Sequence, residues 1–167
     1  MRKMLKANVG LVLAFVFCLG LISTAGAKEV YKEADSKAVE DFVHKNKGKI
    51  VVVNVFATWC APCVTEVPDF VKAHNTYPED KLAMLGVSID EDKQELSNFV
   101  TEQNIAYPVY RVGEEFAVKY QIESIPQTYV HDQSGKLYKR FEGMITFEEL
   151  QEAIESLLAS SPESGDM

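Results

Sequence analysis

The sequence predicts an α/β domain: a mixed β-sheet with helices packed against it. Three observations carry that expectation. Apolar residues make up 47% and charged residues 25% of a 167-residue chain, a globular composition with enough length to enclose a core. Strand-like apolar runs alternate with helix-period patterns along most of the chain, the order of parallel strands joined by helical crossovers. Near the C-terminus two strand patterns flank a short turn, which adds an antiparallel hairpin and makes the sheet mixed.

Residues 28–35 read as a tail or edge segment, and "SKAVEDFVHKN" puts Val39, Phe42 and Val43 on one helical face. "KIVVVNVF" is a nearly continuous β-branched run, as in a strand buried on both faces. The stretch "FATWCAPCVTEVPDF" leads into a helix carrying Val64, Val67, Phe70 and Val71 inward. Pro68 falls inside this helix, where it removes the bond to the Val64 carbonyl and is expected to kink the axis. "LAMLGVSID" is a second buried strand, "KQELSNFVTEQN" a helix with Leu96, Phe99 and Val100 inward, and "YPVYRV" a short strand. "EEFAVKYQI" is a short helix, and "QTYVHDQSGKLYKRFEG" a hairpin turning at residues 132–135. "TFEELQEAIESLLAS" closes the domain, with Thr146 and Glu149 at capping-box spacing and Phe147, Leu150, Ile154, Leu157 and Leu158 as its buried stripe. Residues 28–160 thus form one domain, and residues 161–167 are a polar, flexible tail.

Residues 1–27 are different. Arg2, Lys3 and Lys6 precede an apolar run over residues 9–23, and "TAGA" comes next. Basic start, apolar middle and small residues before a cut are the parts of a secretory signal, with cleavage expected after Ala27. The run is just short of the usual spanning length, so an uncleaved anchor is the alternative. Bulky Phe17 before Cys18 excludes a lipidated cysteine. Either way the domain is expected outside the cytoplasm, in the periplasm or on the outer face of the membrane. The net charge of -8 argues against general affinity for nucleic acid or anionic lipid.

Removal of residues 1–27 leaves Cys60 and Cys63 as the chain's cysteines. A structural zinc site needs four ligands, and this pair supplies two, with His44, His74 and His131 scattered. Covalent haem attachment needs histidine after the second cysteine, where Val64 stands. A structural disulfide here would close almost the smallest possible loop and stabilise little. A redox role uses the same spacing well. Cys60 is expected at a helix N-terminus, where free N–H groups and the dipole favour a thiolate, and Pro62 costs nothing in a first turn. Cys60 is then the exposed nucleophile and Cys63, one turn on, the buried resolving thiol.

"VVVNVFATWCAPCVTEVP" resembles the thioredoxin superfamily, and closely its exported TlpA/ResA/DsbE-like branch of thiol-disulfide oxidoreductases. The likeness continues through "LGVSIDED", "YQIESIPQTYVHDQSGKLYKRFEG" and the last helix. It implies a thioredoxin-like fold, with "EDKQELSNFVTEQNIAYPVYR" as the extra helix–strand insert of that branch. Two departures are Val55-Phe56, where Phe-Trp is usual, and Gln127 in place of a threonine. The resemblance also implies a cis-proline facing the dithiol, here Pro126 after Ile125. Trp59, Ala61, Pro62, Ile125 and Pro126 become the expected partner-docking residues. Glu66 is either a helix-start acid favoured by the dipole or, as in ResA-like proteins, a carboxylate that relays the proton of Cys63.

The function expected is reduction of disulfides in exported clients such as apocytochrome c or copper-site proteins. The resemblance implies recharging by a membrane donor of DsbD/CcdA type. The sulfurs carry the electrons, so no cofactor is needed, and a monomer suffices. A peroxiredoxin-like peroxidase and a non-catalytic docking or copper-chaperone module are the alternatives. The adjacent resolving cysteine disfavours the peroxidase.

Overall fold

The computed structural model describes residues 30–160; the N-terminal basic and apolar segment and the tail from residue 161 lie outside the described residues. Strand β2 (Ile50–Phe56) forms where the β-branched run lies, and all seven of its residues are buried. It pairs in parallel with β3 (Leu82–Ser88), residue 50 against 82 through residue 56 against 88. On its other side it pairs antiparallel with β5 (Gln127–His131), with Val55 opposite Gln127. β5 continues through the hairpin into β6 (Leu137–Glu142). Gly135, at φ 83, takes the left-handed position in the turn, and Asp132 Oδ1 accepts from Ser134 N and Lys136 N.

Two further strands extend the sheet beyond β3. β4 (Val109–Arg111) pairs in parallel with β3, and the two-residue β1 (Lys32–Glu33) pairs in parallel with β4. The order is β1-β4-β3-β2-β5-β6, so the strand of the expected insert is wedged between the edge and β3. The sheet is mixed and flanked by helices, as the sequence predicts.

Alternation along β2 sorts the helices between the faces. Ile50, Val52 and Phe56 pack with α2 (Ala61–Thr76), α3 (Lys93–Glu102) and α5 (Phe147–Ser160). Val51, Val53 and Val55 pack with Val39 of α1 (Ser36–Lys45) and Phe116 of α4 (Glu114–Lys119). The same alternation turns Asn54 toward the α2 side.

Several boundaries differ from the sequence reading, each for a local reason. The second strand stops at Ser88, short of Asp90, because the Asp90 side chain turns back to Ser88 and Thr58. α3 ends at Glu102 and α4 at Lys119: Asn104 and Gln121 adopt φ 53 and 52, and Ile105 N and Ile122 N bond back to Val100 O and Ala117 O. In α5 Ala153 is buried while Leu158 is half-buried. The Thr146–Glu149 capping box forms, with Thr146 N donating to Glu149 Oε2 at 2.8 Å and Glu149 N to Thr146 Oγ1 at 3.3 Å. α2 runs on through Pro68, which is exposed on its outer face.

Candidate active site

The buried end of β2 delivers the chain to Ala57, whose carbonyl accepts from Cys60 N at 3.2 Å. Cys60 is the N-cap of α2, with extended backbone (φ -92, ψ 102). Its sulfur accepts from Cys63 N at 3.3 Å, the position in which serine or aspartate oxygens cap other helices. Cys60 and Cys63 are joined in a disulfide with Cα atoms 5.2 Å apart. The Cys63 N–H already donates to the Cys60 sulfur at the helix N-terminus, so reduction would leave a thiolate there in favourable surroundings.

The two cysteines differ in exposure less than the sequence reading holds. Cys63 is fully buried and Cys60 is 6% exposed, so Cys60 is the accessible sulfur but not an exposed residue. Exposure lies in its neighbours: Trp59 is 68% exposed, and Ala61 and Pro62 are exposed as well. The Ile125–Pro126 peptide is cis. Pairing of β5 with β2 sets this turn against the cysteines, and the Ile125 carbonyl oxygen lies 3.7 Å from Cys60 Sγ. Pro126 is buried and Ile125 half-buried. Gln127 steadies the turn: its Nε2 donates to Ser124 O at 3.0 Å, and Tyr129 Oη donates to its Oε1 at 2.7 Å.

Glu66 is 1% exposed, one turn beyond Cys63 on α2. Oε1 accepts from Asn54 Nδ2 at 2.8 Å and Oε2 from Ile145 N at 3.2 Å. Burial pushes its pKa up to about 7, against the lowering effect of these two bonds. A solvated acid complementing a helix dipole would be neither buried nor shifted upward. Glu66 is a buried group that can hold or release a proton near neutral pH.

Two groups of residues here escaped the sequence reading. Asn54 is the lone polar side chain in the apolar run of β2, and that interruption was the signal to find it by. The other group is a clamp around Asp90, which is 2% exposed. Thr58 N and Thr58 Oγ1 donate to its Oδ1 at 3.0 and 2.6 Å, and Ser88 Oγ donates to its Oδ2 at 2.7 Å. The Arg111 guanidinium donates to the carbonyls of Asp90 and Glu91 and to the Glu33 carboxylate. This clamp ties the loop before Cys60 to the ends of β3 and β4. Serine and aspartate at a strand end carry no pattern that distinguishes them from an ordinary loop.

Residues 28–140 match the family model described as AhpC/TSA. The chain belongs to the AhpC/TSA family. Within this thioredoxin-like family it is similar to the thiol-disulfide oxidoreductase ResA of Bacillus cereus, 29% identical over 150 residues, 86% of this chain and 87% of the relative. It is similar also to sporulation thiol-disulfide oxidoreductase A of Bacillus subtilis, 25% identical over 85% of this chain and 94% of that one. Among solved structures, a thiol-disulfide isomerase from Corynebacterium glutamicum superposes with a TM-score of 0.64 at 26% identity, covering 71% of this chain and 86% of the other. With its Cys60–Cys63 pair at a helix start, the family member described here is a thiol-disulfide oxidoreductase of the ResA/StoA type.

Two hollows lie near this framework. A groove of about 490 Å³ beside the loop that precedes Cys60 is lined by Thr58, Trp59, Ile89, Asp90, Glu91, Asp92 and Glu95. An apolar cavity of about 610 Å³ lies on the other face of the sheet, between α1, α4 and the hairpin, and touches neither cysteine. Neither hollow is lined by a cysteine, but the groove includes Thr58 and Trp59, which lead directly into Cys60.

Proposed function

We propose that this protein is an exported reductant of client-protein disulfides. The observation that carries the reading is the position of Cys60 Sγ: capping α2, bonded to Cys63 and set against the Ile125 carbonyl. In the reduced protein the Cys60 thiolate attacks a client disulfide and forms a mixed disulfide, and one client sulfur leaves as thiolate. The Cys63 thiol then gives its proton to Glu66 and attacks Cys60 Sγ. The Cys60–Cys63 disulfide forms, the second client sulfur leaves, and two electrons have passed to the client. Burial of Glu66 suits it to this exchange because its carboxyl changes state near the pH of the reaction.

Trp59, Ala61 and Pro62 form the exposed surface around Cys60, and Ile125 and Pro126 the opposing wall. A client strand laid across this wall would bring its disulfide in line with Cys60. The basic start, apolar middle and small residues of the first 27 positions support export, with cleavage or as an anchor. Outside the cytoplasm the pair needs an electron source, for which a membrane donor of DsbD/CcdA type is the fitting class. Apocytochrome c before haem attachment and copper-site proteins are the proposed clients, met by a monomer.

Trapping on a Cys63→Ala variant in the source cell tests this reading. The expected result is a mixed disulfide through Cys60 with exported proteins that bear cysteine pairs. Absence of such adducts, with peroxide consumed faster than insulin disulfides are reduced, would transfer the assignment to a peroxidase.

A further inference from the structure

Asn54 poses a problem that the packing around it does not solve. It is 1% exposed in the central strand, where every other residue of the element is apolar. Its Nδ2 donates to Glu66 Oε1 at 2.8 Å and to Thr128 Oγ1 at 3.2 Å. Its Oδ1 accepts nothing, and it is the buried side-chain polar atom without a partner among the described residues. A buried carbonyl without a partner is costly, and a valine or leucine would fill this strand position without that cost.

The neighbours of Glu66 explain why an amide is there. Facing its carboxyl are Asn54 from β2, the Ile145 N–H from the segment before α5, and Asp69 farther along α2. Tyr107, 4% exposed, comes from the segment before β4, and its phenol is held neutral by burial and by the charge of Glu66. Cys63 lies one turn back on α2. An ionised Glu66 accepts two hydrogen bonds, and both are present. A protonated Glu66 must also donate one, and the Ile145 N–H cannot receive it. A primary amide can serve both states, because its two ends are a donor and an acceptor of nearly equal size.

We propose that Asn54 is the positioning residue for Glu66 in both protonation states: Nδ2 donates to the carboxylate, and after a half-turn of the amide Oδ1 accepts from the carboxylic acid. In the turned state the Thr128 hydroxyl donates to the same Oδ1. The proton that leaves Cys63 arrives on Glu66 Oε1, and the amide turns to receive its hydrogen bond. The unpaired Oδ1 is then the acceptor used while Glu66 holds the proton it received as the disulfide closed, and it is left free again once that proton is lost. This inference rests on the reading of Glu66 as the proton acceptor of Cys63.

The test reads the two groups directly, without a client. In oxidised protein carrying ¹³C-labelled Glu and ¹⁵N-labelled Asn, the Glu66 carboxyl and the Asn54 amide are followed by NMR across pH. The Asn54 amide signals are expected to move with the same midpoint as Glu66, and to lose that midpoint in Glu66→Gln. In Asn54→Leu, which keeps the branched shape with a bulkier tip and removes the donor, the Glu66 midpoint is expected to rise by about one pH unit. Amide signals that stay fixed while Glu66 titrates would overturn the proposal, as would an Asn54→Leu variant with an unmoved Glu66 midpoint. If that variant does not fold, the wild-type amide signals decide alone. Failure of Glu66→Gln to alter mixed-disulfide resolution would instead remove the role of Glu66 in exchange, a separate outcome.

Discussion

Replacing Glu66 by Gln should stabilise the oxidised protein more as pH rises. The unfolded carboxyl releases its proton around 4.5, whereas burial holds the folded one up to about 7. Between these values the folded state binds more protons than the unfolded state, so its stability falls with increasing pH. This is the reverse of a salt-bridged carboxylate. A gap of about 2.5 pH units between the two states, at about 1.36 kcal/mol each, makes ionised Glu66 a cost of about 3 kcal/mol above neutral pH. The glutamine variant carries no such slope. Its oxygen can keep the bond from Ile145 N while its nitrogen donates to a turned Asn54 Oδ1, and any difference that remains is the same at every pH. Other titrating groups are shared and cancel in the difference. Urea denaturation of both oxidised proteins from pH ~4 to ~8.5 measures it. The stability difference should climb by about 3 kcal/mol in favour of the variant between pH ~4.5 and ~7. A difference flat to within a few tenths of a kcal/mol would refute the buried-acid reasoning.

In the reduced protein Cys60 should be alkylated well before fully buried Cys63, as mass mapping of a short iodoacetamide pulse will show; equal rates would reverse the assignment of the nucleophile. Trp59→Ala removes a side chain that is 68% exposed, so stability in urea should shift by less than about 0.5 kcal/mol while insulin reduction slows. An unchanged reduction rate would exclude Trp59 from docking. Asp90→Ala strands the Thr58 and Ser88 donors and should cost about 2–4 kcal/mol, with slower client exchange because the loop before Cys60 loses its clamp. Loss of stability below about 1 kcal/mol would show that water replaces the carboxylate.

The fold was legible where the pattern is strong. The run around Val51–Val55 could only be a doubly buried strand, and the cysteine spacing marked the start of the next helix. Helix ends were less legible, because Asn104 and Gln121 stop their helices through left-handed backbone that composition does not announce. The site divides the same way. Cys60 and Cys63 are neighbours in sequence and could be read from it. The partners of Glu66 come from residues 54 and 145 and the clamp of Thr58 from residue 90, contacts that exist only after strands align. Polar residues such as Asn54 and Asp90 gain meaning from what folds against them.

The order in which these pieces enter the chain has its own consequence. The Ile125 carbonyl follows Cys60 by 65 residues, and the Ile145 N–H follows Glu66 by 79. A chain emerging N-terminus first therefore presents its dithiol before the wall and the acid's backbone partner exist. Without β5 and the segment before α5, Cys60 would lack the Ile125 carbonyl and Glu66 the Ile145 N–H. The wall opposite Cys60 and the backbone partner of Glu66 are properties of the finished molecule, supplied from its last third. A product truncated after α3 would keep the cysteines and lose the fence around them, and should react indiscriminately with small disulfides and proteins alike.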